Sequence, residues 1–275
     1  MKLSVSCVLR YRANGSVPLI FNVQAMKGDG QTVEVEQLNL SPNLPRDEWV
    51  DAHGNRFLRT TLSNTDLDLS YSAEVTTNVR RDEPGVVGVV PLAELPMERF
   101  AYLAPSRYCQ SDKLQRFALA SFCHLPPGYQ RVTGICNWIR EYVSYEQGST
   151  TPMTSAFDTV TERVGVCRDF AHLAVALCRA LSIPARYVSA YAEGLTPPDF
   201  HAAMEVYLRG PQEDGWYLFD PTRMASVDRI VRIGVGRDAA DIAFCSAYGN
   251  VTFDAPVVTV KGVSGEATTD AVRLA

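Results

Sequence analysis

The first hundred residues carry the alternation of apolar and polar positions that is typical of β-strands. Residues 67–75 (LDLSYSAEV) alternate throughout, and residues 32–40 (TVEVEQLNL) alternate nearly as well. Turn-forming residues at 51–55 (DAHGN) interrupt the pattern, and helical spacing is absent from this region. These patterns predict an antiparallel, β-sandwich-like N-terminal domain over residues 1–105.

Helical spacing replaces the alternation further along the chain. Several prolines mark residues 84–112 as an irregular connection, and helices are predicted over 112–122, 131–143 and 156–163. A further helix of about fifteen residues begins at Cys167 and ends before Pro184. Strands are predicted at 185–192, 201–208 and 216–219. The fold class is therefore α+β, with a second domain over 106–275 in which a helix packs on an antiparallel sheet.

Composition and charge argue against several classes of partner and of site. The net charge is −5 without a basic run, which argues against a nucleic-acid partner. No segment approaches the roughly 18 apolar residues of a membrane span, and Arg10 and Arg12 interrupt the place where a secretory signal has its apolar core. The seven cysteines are odd in number and lack a Cys-x-x-Cys pair, unlike a disulfide framework or a zinc site. We expect a cytoplasmic protein with no membrane contact and no metal.

Cys167 is the candidate nucleophile. It stands at the predicted start of a helix, where unpaired N–H groups and the helix dipole favour a thiolate. A thiolate is the form of cysteine that attacks a carbonyl carbon. The same N–H groups provide half of an oxyanion hole. Taken alone, a cysteine is more often a small buried hydrophobe, so the hypothesis depends on partners elsewhere in the chain.

His201 and Asp220 are the candidate partners of Cys167. His201 begins one predicted strand, Asp220 ends the next, and residues 210–215 (GPQEDG) between them are turn-forming. A turn centred between Gly210 and Pro211 places His201 directly opposite Asp220, and opposite residues of antiparallel strands share a face. The aspartate then orients the imidazole, which acts as base towards the thiol.

Three segments around these residues resemble a known protein family: GVCRDFAHLAVALCRALSIPARYVSAY, FHAAMEVYL and GWYLFDPTR. Together they resemble the bacterial branch of the transglutaminase-like superfamily of papain-like thiol enzymes, over roughly residues 142–249. The resemblance implies a catalytic triad of Cys167, His201 and Asp220 that acts on amides through a thioester. DAHGNRF resembles the β-rich N-terminal domain of these bacterial proteins. Arg168 departs from the glutamine common at that position. Calcium dependence belongs to the animal enzymes, and since no acidic loop has calcium-ligand spacing we expect no cofactor.

The resulting hypothesis is a cysteine protease or amidase that hydrolyses a peptide or protein amide. Acyl transfer to a primary amine is the alternative within the same chemistry, and a catalytically silent peptide-binding module is the alternative outside it. Tyr145 could supply a second oxyanion donor, although a packed tyrosine is as good an interpretation. His172 lies about 140° around the helix from Cys167, so it is interpreted as structural or as a residue that supports the catalytic ones without reaching the thiol. Asp169 is interpreted as an acceptor of N–H bonds in the first turn of the helix. The loops at 149–155 and 193–200 are predicted to flank the cleft.

Overall fold

The N-terminal region consists of two antiparallel sheets. The structure is a computed structural model and describes residues 1–28, 30–262, 268 and 270–274. The strands of this region are β1 (Lys2–Ala13), β2 (Ser16–Phe21), β3 (Gln31–Ser41), β4 (Arg46–Val50), β5 (Arg56–Ser63), β6 (Asp66–Thr77) and β7 (Val79–Asp82). Strands β1, β3 and β6 lie in one sheet, and β2, β4 and β5 in the other. Their alternating apolar side chains, among them Leu19, Leu62 and Leu69, form one buried core, as the sequence pattern predicts.

The second region contains the predicted helices, with ends that differ by at most two residues. Short 3₁₀ helices lie in the connections between the longer elements, at Pro84–Val86, Leu92–Glu94, Met97–Tyr102 and Val227–Arg229. The α-helices are α1 (Ser111–Phe122), α2 (Tyr129–Tyr142), α3 (Ala156–Glu162) and α4 (Cys167–Ala180). The remaining strands are β8 (Ser144–Tyr145), β9 (Val164–Gly165), β10 (Ala185–Ala192), β11 (Phe200–Arg209), β12 (Asp214–Phe219), β13 (Ile230–Gly236), β14 (Cys245–Ala247), β15 (Val251–Phe253), β16 (Val257–Gly262) and β17 (Ala271–Leu274).

Helix α4 packs on an antiparallel sheet whose strand order is β13-β10-β11-β12-β17-β7. Ala174 and Cys178 of α4 share a core with Met204 and Val206 of β11, and α1 and α2 contribute to that core from the other side of the helix. From Asp169 to Ala180 every residue of α4 is buried. This small-residue helix can therefore approach the sheet closely, and the predicted α+β fold class is confirmed.

Strands also cross the division predicted near residue 105. Strand β14 pairs with β2, whereas β15 and β16 pair with β1. In the opposite direction, β7 leaves the N-terminal region and pairs with β17. Asn55 adds a link between the regions, because its side-chain amide exchanges two hydrogen bonds with the backbone of Val235, at 2.7 and 2.8 Å. The division into domains 1–105 and 106–275 stays a prediction. Strands from each of these ranges form hydrogen-bonded pairs within sheets of the other.

The hairpin of β11 and β12 differs in register from the sequence prediction. Met204 pairs with Phe219, so one further step places Asp220 opposite Ala203, and the predicted pairing of His201 with Asp220 is wrong by two residues. The turn is centred one residue later than Gly210 and Pro211 suggest. Because side chains alternate with a period of two, His201 and Asp220 remain diagonal neighbours on one face.

A carboxylate with two guanidinium partners is buried in this sheet. Glu205 of β11 is 1% exposed; its Oε2 accepts from Arg186 Nε at 2.7 Å, and its Oε1 lies 3.1 Å from Arg232 Nη1. The Arg186 guanidinium also stacks over the Trp216 ring, with 4.2 Å to the centroid. Three charged groups on β10, β11 and β13 therefore hold the central strands in one register.

Candidate active site

Cys167 is the first residue of α4, and its thiol is free and half-buried. The preceding residue, Val166, has extended backbone angles, and its N–H donates to Asp169 Oδ2 at 2.9 Å. A carboxylate in the first turn also interacts favourably with the helix dipole. A Cβ on Gly165 would lie 2.7 Å from the Asp169 Cβ, so glycine leaves the room that this cap requires. The local sequence thus fixes where the helix, and with it the thiol, begins.

The structure brings His201 and Asp220 together in a buried pair. His201 Nε2 lies 3.1 Å from Asp220 Oδ2, although the angle is poor for a straight hydrogen bond. The carboxylate is held by the turn after β12: Oδ1 accepts from the N–H and hydroxyl of Thr222 at 2.9 and 2.7 Å, and Oδ2 accepts from the N–H of Ala225 at 2.9 Å. Asp220 is therefore oriented before any substrate arrives.

The electrostatics of this pair favour a charged imidazole. Burial alone would lower the pKa of His201, but the Asp220 carboxylate and the neighbouring Cys167 side chain raise it to about 10. Burial alone would raise the pKa of Asp220, but His201 and the donors of the following turn lower it. Because Nε2 is the nitrogen that lies beside Asp220, Nδ1 is the nitrogen left for the sulfur. The Asp220 carboxylate can therefore stabilise an imidazolium at His201.

Tyr145 lies beside the start of α4 because β8 and β9 form a parallel pair with Tyr145 opposite Gly165. The pKa of Tyr145 is raised, first by burial and then by the Cys167 side chain, while the Cys167 backbone N–H opposes the rise. Tyr145 therefore interacts electrostatically with Cys167. Tyr145 thus stays a candidate for the second oxyanion donor, beside the Cys167 N–H.

Arg168 faces away from the thiol, towards the polar loop that follows β8. Its Nη2 donates to Thr150 Oγ1 at 2.6 Å and to the Thr151 carbonyl at 2.7 Å, and it also contacts Asp169 Oδ1 at 3.2 Å. The arginine that replaces the common glutamine is thus used to hold the loop at 149–155 against the helix start. Its pairing with Asp169 also balances its charge locally.

His172 lies outside the group around the thiol. It is buried between the rings of Tyr108 and Tyr187, with centroids 5.0 and 4.9 Å away, and its Nε2 accepts from the Ala239 N–H at 3.1 Å. Burial, reinforced by Arg168 and Arg179, lowers its pKa well below the ordinary value. His172 is therefore a neutral imidazole held by ring stacking and by one backbone hydrogen bond, and its role stays a prediction.

A cavity of about 210 Å³ adjoins the pair His201 and Tyr145. The loop before β11 forms part of its wall, and the lining residues are Tyr145, Gln147, Leu195, Thr196, Pro197, Asp199, Phe200, His201 and Met224. A larger cavity of about 490 Å³ lies at Trp49 and Tyr102, away from the triad candidates. The smaller cavity adjoins the reactive groups, so we assign it to the site. Sequence reasoning placed the loop at 193–200 there but missed Asp199, whose only signal is its position two residues before His201.

Two protein-family models match the chain. Residues 122–221 match the transglutaminase-like superfamily, and residues 1–98 match the N-terminal domain of bacterial transglutaminase. A solved structure from Cytophaga hutchinsonii, described as a putative cysteine protease, is 39% identical in sequence. It superposes with a TM-score of 0.94 over 100% of this chain and 98% of that chain.

Curated relatives match over shorter segments. An uncharacterized protein of Mycobacterium leprae is 32% identical over 120 residues, which are 41% of this chain and 42% of that protein. An uncharacterized protein of Mycobacterium tuberculosis is 34% identical over 145 residues, 48% of this chain and 46% of that protein. The chain thus spans less than half the length of these relatives. Within the described ranges, no helix is both long and apolar enough to cross a bilayer.

Proposed function

This chain belongs to the transglutaminase-like superfamily, and from that premise we propose that it hydrolyses amide, peptide or isopeptide bonds through a Cys167–His201–Asp220 triad. The observation that carries the proposal is the buried imidazole of His201, which lies 3.1 Å from Asp220 Oδ2 and also interacts with the Cys167 side chain. A cysteine that only fills space in the core would not require a buried His201–Asp220 pair beside it. The substrate is a peptide or protein amide.

Acylation begins with attack of the Cys167 thiolate on the amide carbon. The electron pair of the carbonyl moves to oxygen, which the Tyr145 hydroxyl and the Cys167 N–H stabilise. As the tetrahedral intermediate collapses, the carbon–nitrogen bond breaks and His201 gives its Nδ1 proton to the leaving nitrogen. The products of this half-reaction are a free amine, a neutral imidazole and a thioester on Cys167.

Deacylation reverses the role of the imidazole. Neutral His201 takes a proton from water, whose oxygen forms a bond to the thioester carbon. Collapse of the second intermediate breaks the carbon–sulfur bond and releases a carboxylic acid, which restores the thiolate and the imidazolium. Asp220 stays ionised throughout and keeps Nδ1 aimed at the reacting atoms. If a primary amine replaces water in this step, the product is a new amide.

Hydrolysis in ¹⁸O-labelled water tests this proposal. We expect the wild-type protein, incubated with a complex peptide mixture, to generate products with one ¹⁸O in a new carboxyl group. Mass spectrometry also identifies the residue on each side of the cleaved amide. The Cys167→Ala variant should generate none of these products, because it cannot form the thioester.

An added alkylamine separates the two reactions of the thioester. Incorporation of the amine in preference to ¹⁸O would show that acyl transfer is the main reaction and that hydrolysis is not. Identical product sets from the wild type and from Cys167→Ala would reject the enzyme and favour a silent peptide-binding module.

Replacing Tyr145 by phenylalanine should slow hydrolysis without slowing alkylation of Cys167. Loss of one oxyanion donor typically costs about 10²-fold in kcat, whereas alkylation by iodoacetamide forms no oxyanion. The matched control is Tyr142→Phe, an exposed tyrosine at the end of α2, which should leave both rates unchanged. Equal losses of hydrolysis and alkylation in Tyr145→Phe would instead assign the tyrosine to packing of the helix start.

A further inference from the structure

The cavity beside His201 has the size of a subsite rather than of a whole ligand site. Its volume of about 210 Å³ is below the roughly 300–1,000 Å³ of pockets that enclose a small-molecule ligand. Leu195, Pro197, Phe200 and Met224 make much of its wall apolar, and Asp199 contributes a carboxylate. A single side chain with an aliphatic stem and a polar end fits such a space.

The position of the cavity next to His201 suits the part of the substrate on the amine side of the scissile bond. The leaving nitrogen must come within hydrogen-bond reach of His201, which protonates it. The part of the substrate attached to that nitrogen must therefore lie next to the imidazole. The residues immediately before His201 form a wall of the cavity at this place. Asp199 is two residues from His201, and the two groups interact electrostatically.

The charges around the cavity favour a cation. The Asp220 carboxylate offsets an imidazolium at His201, so an ionised Asp199 gives this part of the site a net negative charge. Among the described lining residues there is no lysine or arginine. Asp199 Oδ1 accepts from the Phe200 N–H at 2.7 Å, which fixes the side chain. Burial raises the pKa of Asp199, and a bound cation would offset that desolvation.

We propose that this cavity binds the leaving-group side of the substrate and that Asp199 selects a residue there with a positively charged side chain. The inference rests on the proposed function, since the leaving group is defined by the reaction at Cys167. Asp199 acts on substrate choice through charge, while the reactivity of the thiolate towards a neutral reagent depends on the triad. These two properties can be measured separately.

Three symmetric disulfides measure both properties without a known substrate. Each converts Cys167 to a mixed disulfide and releases a thiolate, and both the transferred alkylthio group and the leaving thiolate carry a trimethylammonioethyl, sulfonatoethyl or hydroxyethyl group. In a Cys123→Ser background, which removes the exposed thiol, we expect the cationic reagent to label Cys167 faster than the anionic one. The Asp199→Asn variant, which keeps the acceptor oxygen, should lower the cation-to-anion rate ratio roughly tenfold while the neutral rate stays within about twofold.

Two further variants serve as controls. Asp199→Glu keeps the charge and should retain most of the wild-type preference. Glu146→Gln removes an exposed carboxylate that neighbours Tyr145 in sequence but does not line the cavity, and should leave the ratio unchanged. An unchanged ratio in Asp199→Asn with a normal neutral rate would overturn the inference alone. Failure of the neutral reagent to label Cys167 would overturn the proposed function, and the inference with it.

Discussion

Iodoacetamide at about pH 6 should alkylate Cys167 of the native protein roughly a hundred times faster than an ordinary exposed thiol. An unperturbed thiol has a pKa of about 8.5 and is almost fully protonated at that pH, whereas the proposed ion pair with His201 holds the sulfur of Cys167 as a thiolate. Cys123 is exposed and serves as the internal comparison. Burial raises the pKa of Cys109 and Cys136 to about 12, so these thiols should stay unlabelled. Peptide mapping by mass spectrometry gives the rate at each cysteine.

Replacement of the imidazole should abolish this selectivity. In His201→Ala, alkylation of Cys167 should fall to about the rate of Cys123, a loss on the order of a hundredfold. His124→Ala is the matched control because it removes an exposed histidine outside the site. Circular dichroism shows whether each variant is folded. Uniformly slow labelling of the folded wild-type protein would mean that no activated thiolate is present, and the peptide-binding module would become the better interpretation.

The basic side of the pH profile should separate alkylation from hydrolysis. The pKa of His201 is raised from 6.5 to about 10, so the imidazolium persists until the pH approaches 10 and is then lost. Hydrolysis should decline through that range because the leaving nitrogen loses its proton donor. Alkylation should not decline, because a thiolate without its imidazolium remains a nucleophile. A parallel decline of both rates would indicate unfolding rather than titration of His201.

Proximity of His201 and Asp220 could be predicted from the sequence because it depends on local pairing. Turn-forming residues between two short strands are compatible with registers that differ by two residues. The sequence predicts His201 opposite Asp220, whereas the structure pairs Met204 with Phe219. A shift of two residues keeps every side chain on its face. The prediction of a shared face therefore survived an error in register, which a shift of one residue would not have allowed.

Contacts between distant segments could not be predicted in this way. Alternation indicates that a segment is a strand but not which strand it pairs with, and Cys245 pairs with Phe21 at the opposite end of the chain. The position of Tyr145 depends on a parallel pair of two residues with Gly165, which is too short to leave a periodic signal. Arg168 was visible as a departure from the family pattern, but its contact with Thr150 requires the fold of the loop.

Replacing Glu205 by glutamine should lower the free energy of unfolding by about 3–5 kcal/mol at pH 7. The substitution keeps the shape of the side chain but removes the carboxylate charge that lies 2.6 Å from the buried Arg186 Nη2. Removal of one partner from a buried ion pair is costly because the remaining charge has already lost its water. Urea unfolding followed by circular dichroism measures the difference. Glu94→Gln is the matched control, since Glu94 pairs with Arg209 at the surface and its loss should have little effect.

Acid should remove the difference between the wild type and Glu205→Gln. Burial alone would raise the pKa of Glu205, but the two arginines lower it from its ordinary value of 4.5. A carboxylate with a lowered folded-state pKa contributes stability that is fully present above the unfolded-state value and is lost as the pH falls through the folded-state value. The two unfolding free energies should therefore converge as the pH falls from 4.5 through the lowered folded-state pKa of Glu205, where Glu205 becomes a neutral acid much like the glutamine. A gap that stays constant down to the acid transition would show that packing around Glu205, and not its charge, stabilises these central strands.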